Sequence, residues 1–357
     1  KNMSYFHLNL ILKGKLTVCC LLMLSVIPLN AQREAKQIGD FKESISLNEH
    51  LRGTKRTLQY CPDGDEFVCV NGKNRYTRAL YGSHSPFRVE TSDRPVFAFY
   101  NNGRGGNISF KVILRDGTEL ALDRTGYCES RYSAGKRTYY LTDPSWGKGE
   151  LRISVLALAD MDGAIWRFSP SNMPKGAILR WQHGGATGKR LSRNGDMGVD
   201  PADCFELPAE ATDLVTGELA LQKEVYLVRG EVPEGYNVRK LYQQAEAASL
   251  ALASHLKIET PDPYLNTLGG ALVAAADGIW DGQVWLHGAI GWRMPLSGWR
   301  AGYTGDALGW HDRARTHFDA YAASQVTDVP NTIPHPAQDS TMNLARSEKR
   351  WGTPQYS

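Results

Sequence analysis

Apolar and polar residues alternate over much of the first two thirds of the chain. Ile108, Phe110, Val112 and Leu114 fall on one face of an extended segment, as do Leu151, Ile153, Val155 and Ala157. A period of two is that of a strand with one buried face. Shorter runs of the same kind span 66–70, 87–90, 96–100, 119–122, 164–168, 177–181 and 224–228. Turn-forming residues separate several of them: Thr91–Pro95, Asp116-Gly117 and Asp162-Gly163. Many short strands with turns between them, and little helical periodicity, predict an antiparallel β-sandwich over 56–232. No repeat of fixed period argues for a propeller.

The period then changes. Pro233-Glu234-Gly235 breaks the β pattern. Val238, Leu241, Tyr242, Ala245, Ser249, Leu252 and Leu256 recur at helical spacing in an Ala-rich stretch. This predicts a linker helix within 233–262, stopped by Thr260-Pro261-Asp262-Pro263. A second helix is predicted over 264–281, with Leu265, Leu268, Leu272, Ala275 and Ile279 as its buried side. After a Gly/Trp-rich loop, Thr304 or Asp306 is placed to cap a further helix running to about residue 325. Residues 326–357 carry Pro330, Pro334, Pro336 and Pro354 and predict a loop. The fold class expected is multidomain, β then α.

Lys1, Lys13 and Lys15 precede the apolar run Leu16–Leu29, and Asn30-Ala31-Gln32 follows it. A basic start, a short apolar centre and a small residue at the cut predict a secretory signal over 1–31, then a polar lead-in over 32–55. The expected location is secreted or periplasmic. The run is short for a membrane span, so no stable insertion is expected after cleavage. Cys61, Cys69, Cys128 and Cys204 lie beyond the signal. Cys61 and Cys69 bracket a Pro-Asp-Gly-Asp turn and are the first candidates for a disulfide; buried thiols are the alternative. No Cys/His spacing suits zinc, and neither metal nor cofactor is expected. The net charge of +3, with no basic run interleaved with aromatics, gives no reason to expect a nucleic-acid partner.

The chemistry concentrates in residues 263–325. Five of the nine tryptophans fall at 280, 285, 292, 299 and 310, and ten glycines lie between Gly269 and Gly309. The indole N–H needs a partner when buried, and glycine lets backbone approach a ligand. The mixture of Trp, Gly, Arg and Asp therefore reads as a pocket wall. A sugar offers an apolar C–H face for Trp to stack on and a rim of hydroxyls for Asp, Arg and His. Trp292, Trp299 and Trp310 each follow a glycine and are the stacking candidates, while Trp280 and Trp285 are expected to pack half in the core. Arg293 and Arg300 each follow a Trp and are candidates to clamp a uronate carboxylate; a structural pair with Asp306 or Asp312 is the alternative. His287 and His311 read first as structural hydrogen-bonding groups, and Asp277 as a helix-end residue. Asp306 has three open roles: catalytic acid, ligand of a sugar hydroxyl, or helix cap. Asp312, six residues on, would share a helix with Asp306 on a different face, so the two make a poor catalytic pair.

The order of elements resembles that of the six-hairpin (α/α)6 glycosidases, in particular secreted Bacteroidota proteins from polysaccharide-utilisation loci. The motifs that carry the likeness are Tyr76-Thr77-Arg78-Ala79-Leu80-Tyr81-Gly82, Phe87-Arg88-Val89-Glu90-Thr91 and Asp262-Pro263-Tyr264-Leu265-Asn266, then the Gly-Trp-Arg repeats and the segment Gly305–Ala314. The resemblance implies a helical toroid beginning at 263, a carbohydrate substrate and metal-free acid/base hydrolysis. It implies Asp306 as the functional carboxylate, with Trp292, Arg293, Trp299, Arg300, Trp310, His311 and Asp312 as substrate ligands. A full toroid needs roughly 300 residues, and 263–357 supply 95, so the expectation is a truncated helical part whose second carboxylate lies beyond residue 357. Two rivals stand beside it. A polysaccharide lyase would use Tyr303 with His311, and a non-catalytic glycan binder would use Tyr100, Trp166 and Trp181 as its platform.

Overall fold

The computed structural model describes residues 60–73, 76–85, 87–101, 104–184, 214–286 and 295–323. The expected signal, lead-in and proline-rich tail lie outside these residues. Two antiparallel sheets come first and four helices follow. One sheet orders its strands β1 (Cys61–Asp63), β2 (Glu66–Val70), β8 (Tyr127–Ser133), β9 (Lys136–Thr142), β10 (Glu150–Ala157), β11 (Gly163–Ser171) and β14 (Val225–Gly230). The other orders β13 (Val215–Ala220), β12 (Ile178–Gly184), β6 (Arg104–Ile113), β5 (Phe97–Asn101), β4 (Arg88–Ser92) and β3 (Tyr76–Tyr81), and β7 (Glu119–Ala121) pairs with β6.

The alternating residues behave as their period requires. Leu151, Ile153 and Val155 of β10 are fully buried, as are Ile108 and Val112 of β6. Between the sheets, Phe97 and Phe110 from one meet Tyr139, Trp166 and Phe168 from the other. Phe97 lies edge-on to Tyr139 at 5.7 Å and to Trp166 at 5.5 Å, and Phe110 edge-on to Phe168 at 5.1 Å. Each such contact adds about 1 kcal/mol to the area it buries. Trp166 is therefore the centre of the core and cannot serve as a surface platform. The side chain of Tyr100 lies outside those described.

The Cys61–Cys69 disulfide expected from their spacing does not form; both are thiols. The register explains this. Cys61 pairs with Val68, which puts Cys69 one position out of step and on the opposite face of the β1–β2 hairpin. Cys69 faces the core, as does Cys128.

Helix α1 (Val238–Ala253) starts where the breaker ends, capped by Asn237, whose side chain accepts from the Lys240 N–H at 3.1 Å. It lays Leu241, Tyr242 and Ala245 on Leu156 and Ile165 of the first sheet and on Leu158 just past β10. Helix α2 (Pro263–Gly278) is capped by Asp262, which accepts from the Tyr264 N–H at 2.8 Å. Its buried side differs from the expected one. Leu265 and Leu272 are each 46% exposed, while Thr267, Gly269, Val273 and Ala274 are buried. The small residues decide the packing, because they let the helix axis come close: a Cβ at Gly278 would sit 2.2 Å from the Tyr81 ring. No helix among the described residues is long and apolar enough to cross a membrane.

Candidate functional site

The remaining helices form a hairpin, α3 (Pro295–Ala307) and α4 (His311–Ala323). The stretch expected to be loop up to Thr304 is thus largely helical from Pro295. Asp306 lies in the last turn of α3, and its carbonyl accepts from the Gly309 N–H at 2.9 Å. It caps no helix start, which removes one of its three roles. Gly309, at a φ of +81°, adopts the left-handed conformation that closes a helix without a Cβ penalty.

The hairpin is built on Trp285. Its backbone N–H donates to His317 Nδ1 at 3.0 Å, and its indole N–H donates to the Ala276 carbonyl at 2.9 Å. Trp280 packs on it at 4.7 Å. Trp280 and Trp285 are buried outright rather than half-buried. Gly305 of α3 lies on the Trp285 ring, where a Cβ would come within 2.0 Å. His317, fully buried, is a structural centre of the hairpin. Its signal was available: it falls seven residues after Trp310 and beside Phe318, on the helix face that turns inward.

Trp310 is only partly buried and sits in a stack. The His255 ring lies parallel to it at 5.3 Å, the Arg313 guanidinium covers it at 4.7 Å, and Trp285 lies behind at 6.4 Å. Arg313 is held in turn by Asp277, at 2.7 Å, and the same Asp277 oxygen meets His84 Nε2 at 3.2 Å. Burial alone would push the Asp277 carboxyl up, but the hydrogen bonds from His84 and Arg313 outweigh it and hold it below the usual carboxylate range. Asp277 is therefore a fixed anion that aligns Arg313.

The exposed chemistry lies at the rim of this stack. His311 Nδ1 and Asp306 Oδ1 are 2.6 Å apart, with side chains 71% and 58% exposed. Arg313 pairs with Asp277, while Arg293 and the Arg300 side chain, the arginines expected to pair with Asp306 or Asp312, lie outside the described residues. Asp312 sits in the exposed first turn of α4, where its charge suits the helix N-terminus. Tyr303 packs on Phe318 at 5.9 Å, while His311 bonds Asp306, so no Tyr303–His311 pair is assembled. Trp292, Arg293 and His287 lie outside the described residues. Trp299 and Arg300 lie within α3, with side chains outside those described. Of the substrate ligands expected, the structure brings together Asp306, Trp310 and His311, with Asp312 beside them. No cluster of His, Cys, Asp or Glu among the described residues is set up to hold a metal ion.

A cavity of about 230 Å³ lies elsewhere, between the sandwich and helices α1 and α2. Ala79, Ala157, Ala245 and Ala248 line it, with His84 and Asp277 at its polar side.

A family model described as a domain of unknown function, DUF4450, matches residues 102–232. The match lies within the sandwich, from the β5–β6 turn to just past β14, and ends before α1. No curated protein matches the chain.

Proposed function

We propose that this is a secreted carbohydrate-active protein whose helical part belongs to a glycoside hydrolase of the (α/α)6 kind, with its sugar site beside Trp310. The observation that carries the reading is the exposed Asp306–His311 pair, 2.6 Å apart, at the edge of an indole stacked between His255 and Arg313. Trp310 supplies the apolar edge, and Asp306 and His311 supply polar groups for the hydroxyl rim.

Hydrolysis adds water across the glycosidic bond. One carboxyl group protonates the leaving oxygen, and a second activates the water or attacks the anomeric carbon. A carboxylate that already accepts a hydrogen bond from an imidazole is set to accept another from a sugar hydroxyl. The geometry therefore favours Asp306 as a ligand that orients the sugar at the cleavage point over Asp306 as the proton donor. The acid and base then come from other residues.

The test is product release from a panel of plant and microbial polysaccharides by the protein expressed from its complete reading frame. Cleavage of one class, reduced at least tenfold by Asp306→Asn, supports the reading. Binding without cleavage of any class would move the protein to the non-catalytic glycan binders.

A further inference from the structure

The two sheets of the sandwich end on β13 and β14, and a second polar site lies where those edges meet. Trp181 and His183 of β12 lie on the strand beside β13; Arg229 lies on β14 itself. Trp181 pairs with Gly217, and its indole fills the space that a side chain there would take: a Cβ at Gly217 would come within 2.6 Å of the ring. The Arg229 guanidinium lies 5.1 Å from the centre of that ring, and its Nε donates to His183 Nδ1 at 2.9 Å. All three side chains are partly exposed. The Trp face and the imidazole nitrogen thus fix the plane of the guanidinium.

The neighbouring arginines of the sandwich are paired with carboxylates. Arg180, next to Trp181 on β12, pairs with Glu218 at 2.8 Å and Glu119 at 3.0 Å. Arg131 is shared by Asp63, Glu66 and Glu129. Arg229 has no carboxylate partner among the described residues, and its two Nη groups have no hydrogen-bond partner there. Burial lowers its guanidinium from the ordinary arginine value. A partly desolvated cation is costly unless an anion meets it. A guanidinium anchored through Nε, with its two Nη groups pointing the other way, presents the end-on fork that fits a planar carboxylate.

We propose that this sandwich edge is a binding subsite for an acidic sugar, with Arg229 taking the carboxylate of a uronate residue in a two-point contact. Trp181 and His183 are positioning residues for Arg229. The subsite rests on the reading of the protein as carbohydrate-active, but it is separate from Asp306 and lies within the span matched by the DUF4450 family model.

The experiment is calorimetric titration of the full chain with trigalacturonate and with neutral cellotriose, in the unaltered protein and in Arg229→Gln, Arg229→Lys and Asp306→Asn. Trigalacturonate is expected to bind more tightly than cellotriose. Arg229→Gln is expected to weaken the uronate roughly 10- to 100-fold. Arg229→Lys, which keeps the charge and the fold but not the fork, is expected to recover only part of the loss. Uronate affinity unchanged in both Arg229 variants overturns the subsite, whatever Asp306→Asn does to either sugar. If neither sugar binds the unaltered chain, nor any oligosaccharide from a wider panel, the carbohydrate reading itself falls with it.

Discussion

Arg313 donates to Asp277 at 2.7 Å across 36 residues of chain, and that one contact ties α4 to the end of α2. His84, from the loop after β3, meets the same carboxylate oxygen, so the sandwich is joined to the helices at the same point. Asp277 is mostly buried and held ionised. Its folded pKa lies below its unfolded one, so its contribution is complete above about pH 4 and is lost as pH falls through the folded value. Asp277→Asn is expected to lose about 2 kcal/mol at neutral pH. The deficit relative to the unaltered protein should shrink below about pH 4, as urea unfolding at a series of pH values would reveal. A deficit that stays constant down to pH 2 contradicts the assignment.

His317 accepts from the Trp285 backbone N–H deep in the hairpin. His317→Leu keeps apolar volume but leaves that N–H without its acceptor, at a cost of about 1–3 kcal/mol. Gly305→Ala places a methyl into the Trp285 ring and is expected to cost a similar ~1–3 kcal/mol by overpacking. Both changes should alter tryptophan fluorescence in the folded state, because the Trp280–Trp285–Trp310 stack shifts with them. Unfolding midpoints equal to that of the unaltered protein would show that the hairpin is not built on Trp285.

The cysteines make a separate prediction. Burial pushes the Cys128 thiol up to about 12. In the native protein at pH 8, iodoacetamide should leave Cys128 unmodified while partly exposed Cys61 reacts. Peptide mapping without reduction should find no Cys61–Cys69 link; finding one would contradict the β1–β2 register.

Where side-chain pattern alone governs a strand, the sequence was legible. The strands containing Ile108–Val112 and Leu151–Ala157 appear where alternation places them. Strands β8 and β9 went unread because their buried positions hold Glu129, Ser130, Arg137 and Thr138. These groups meet partners that only the fold supplies. Arg137, for example, donates to Tyr60 Oη, the Ser92 carbonyl and Ser130 Oγ. The buried face of α2 was misread because leucines were weighted above the glycines that set the approach distance. In α3, the sequence Gly-Trp-Arg-Ala-Gly-Tyr-Thr-Gly-Asp carries loop-like propensity. Packing on Trp285 overrides it, since Gly305 meets the indole directly. Asp306 and His311 were both legible as site candidates, but their contact was not, because it forms only where Gly309 turns the chain from α3 into α4.

Titration of the full chain and its Asp306→Asn variant with an oligosaccharide that the unaltered protein binds tests whether the sugar sits beside Trp310. The carboxylate is replaced by an amide of the same shape on an exposed helix end, so folding should be unaffected. Binding is expected to weaken at least tenfold, since a hydrogen bond to a charged group contributes roughly 1.5–3 kcal/mol. Equal affinity in the two proteins would contradict it and place the sugar site away from Trp310 and the α3–α4 hairpin.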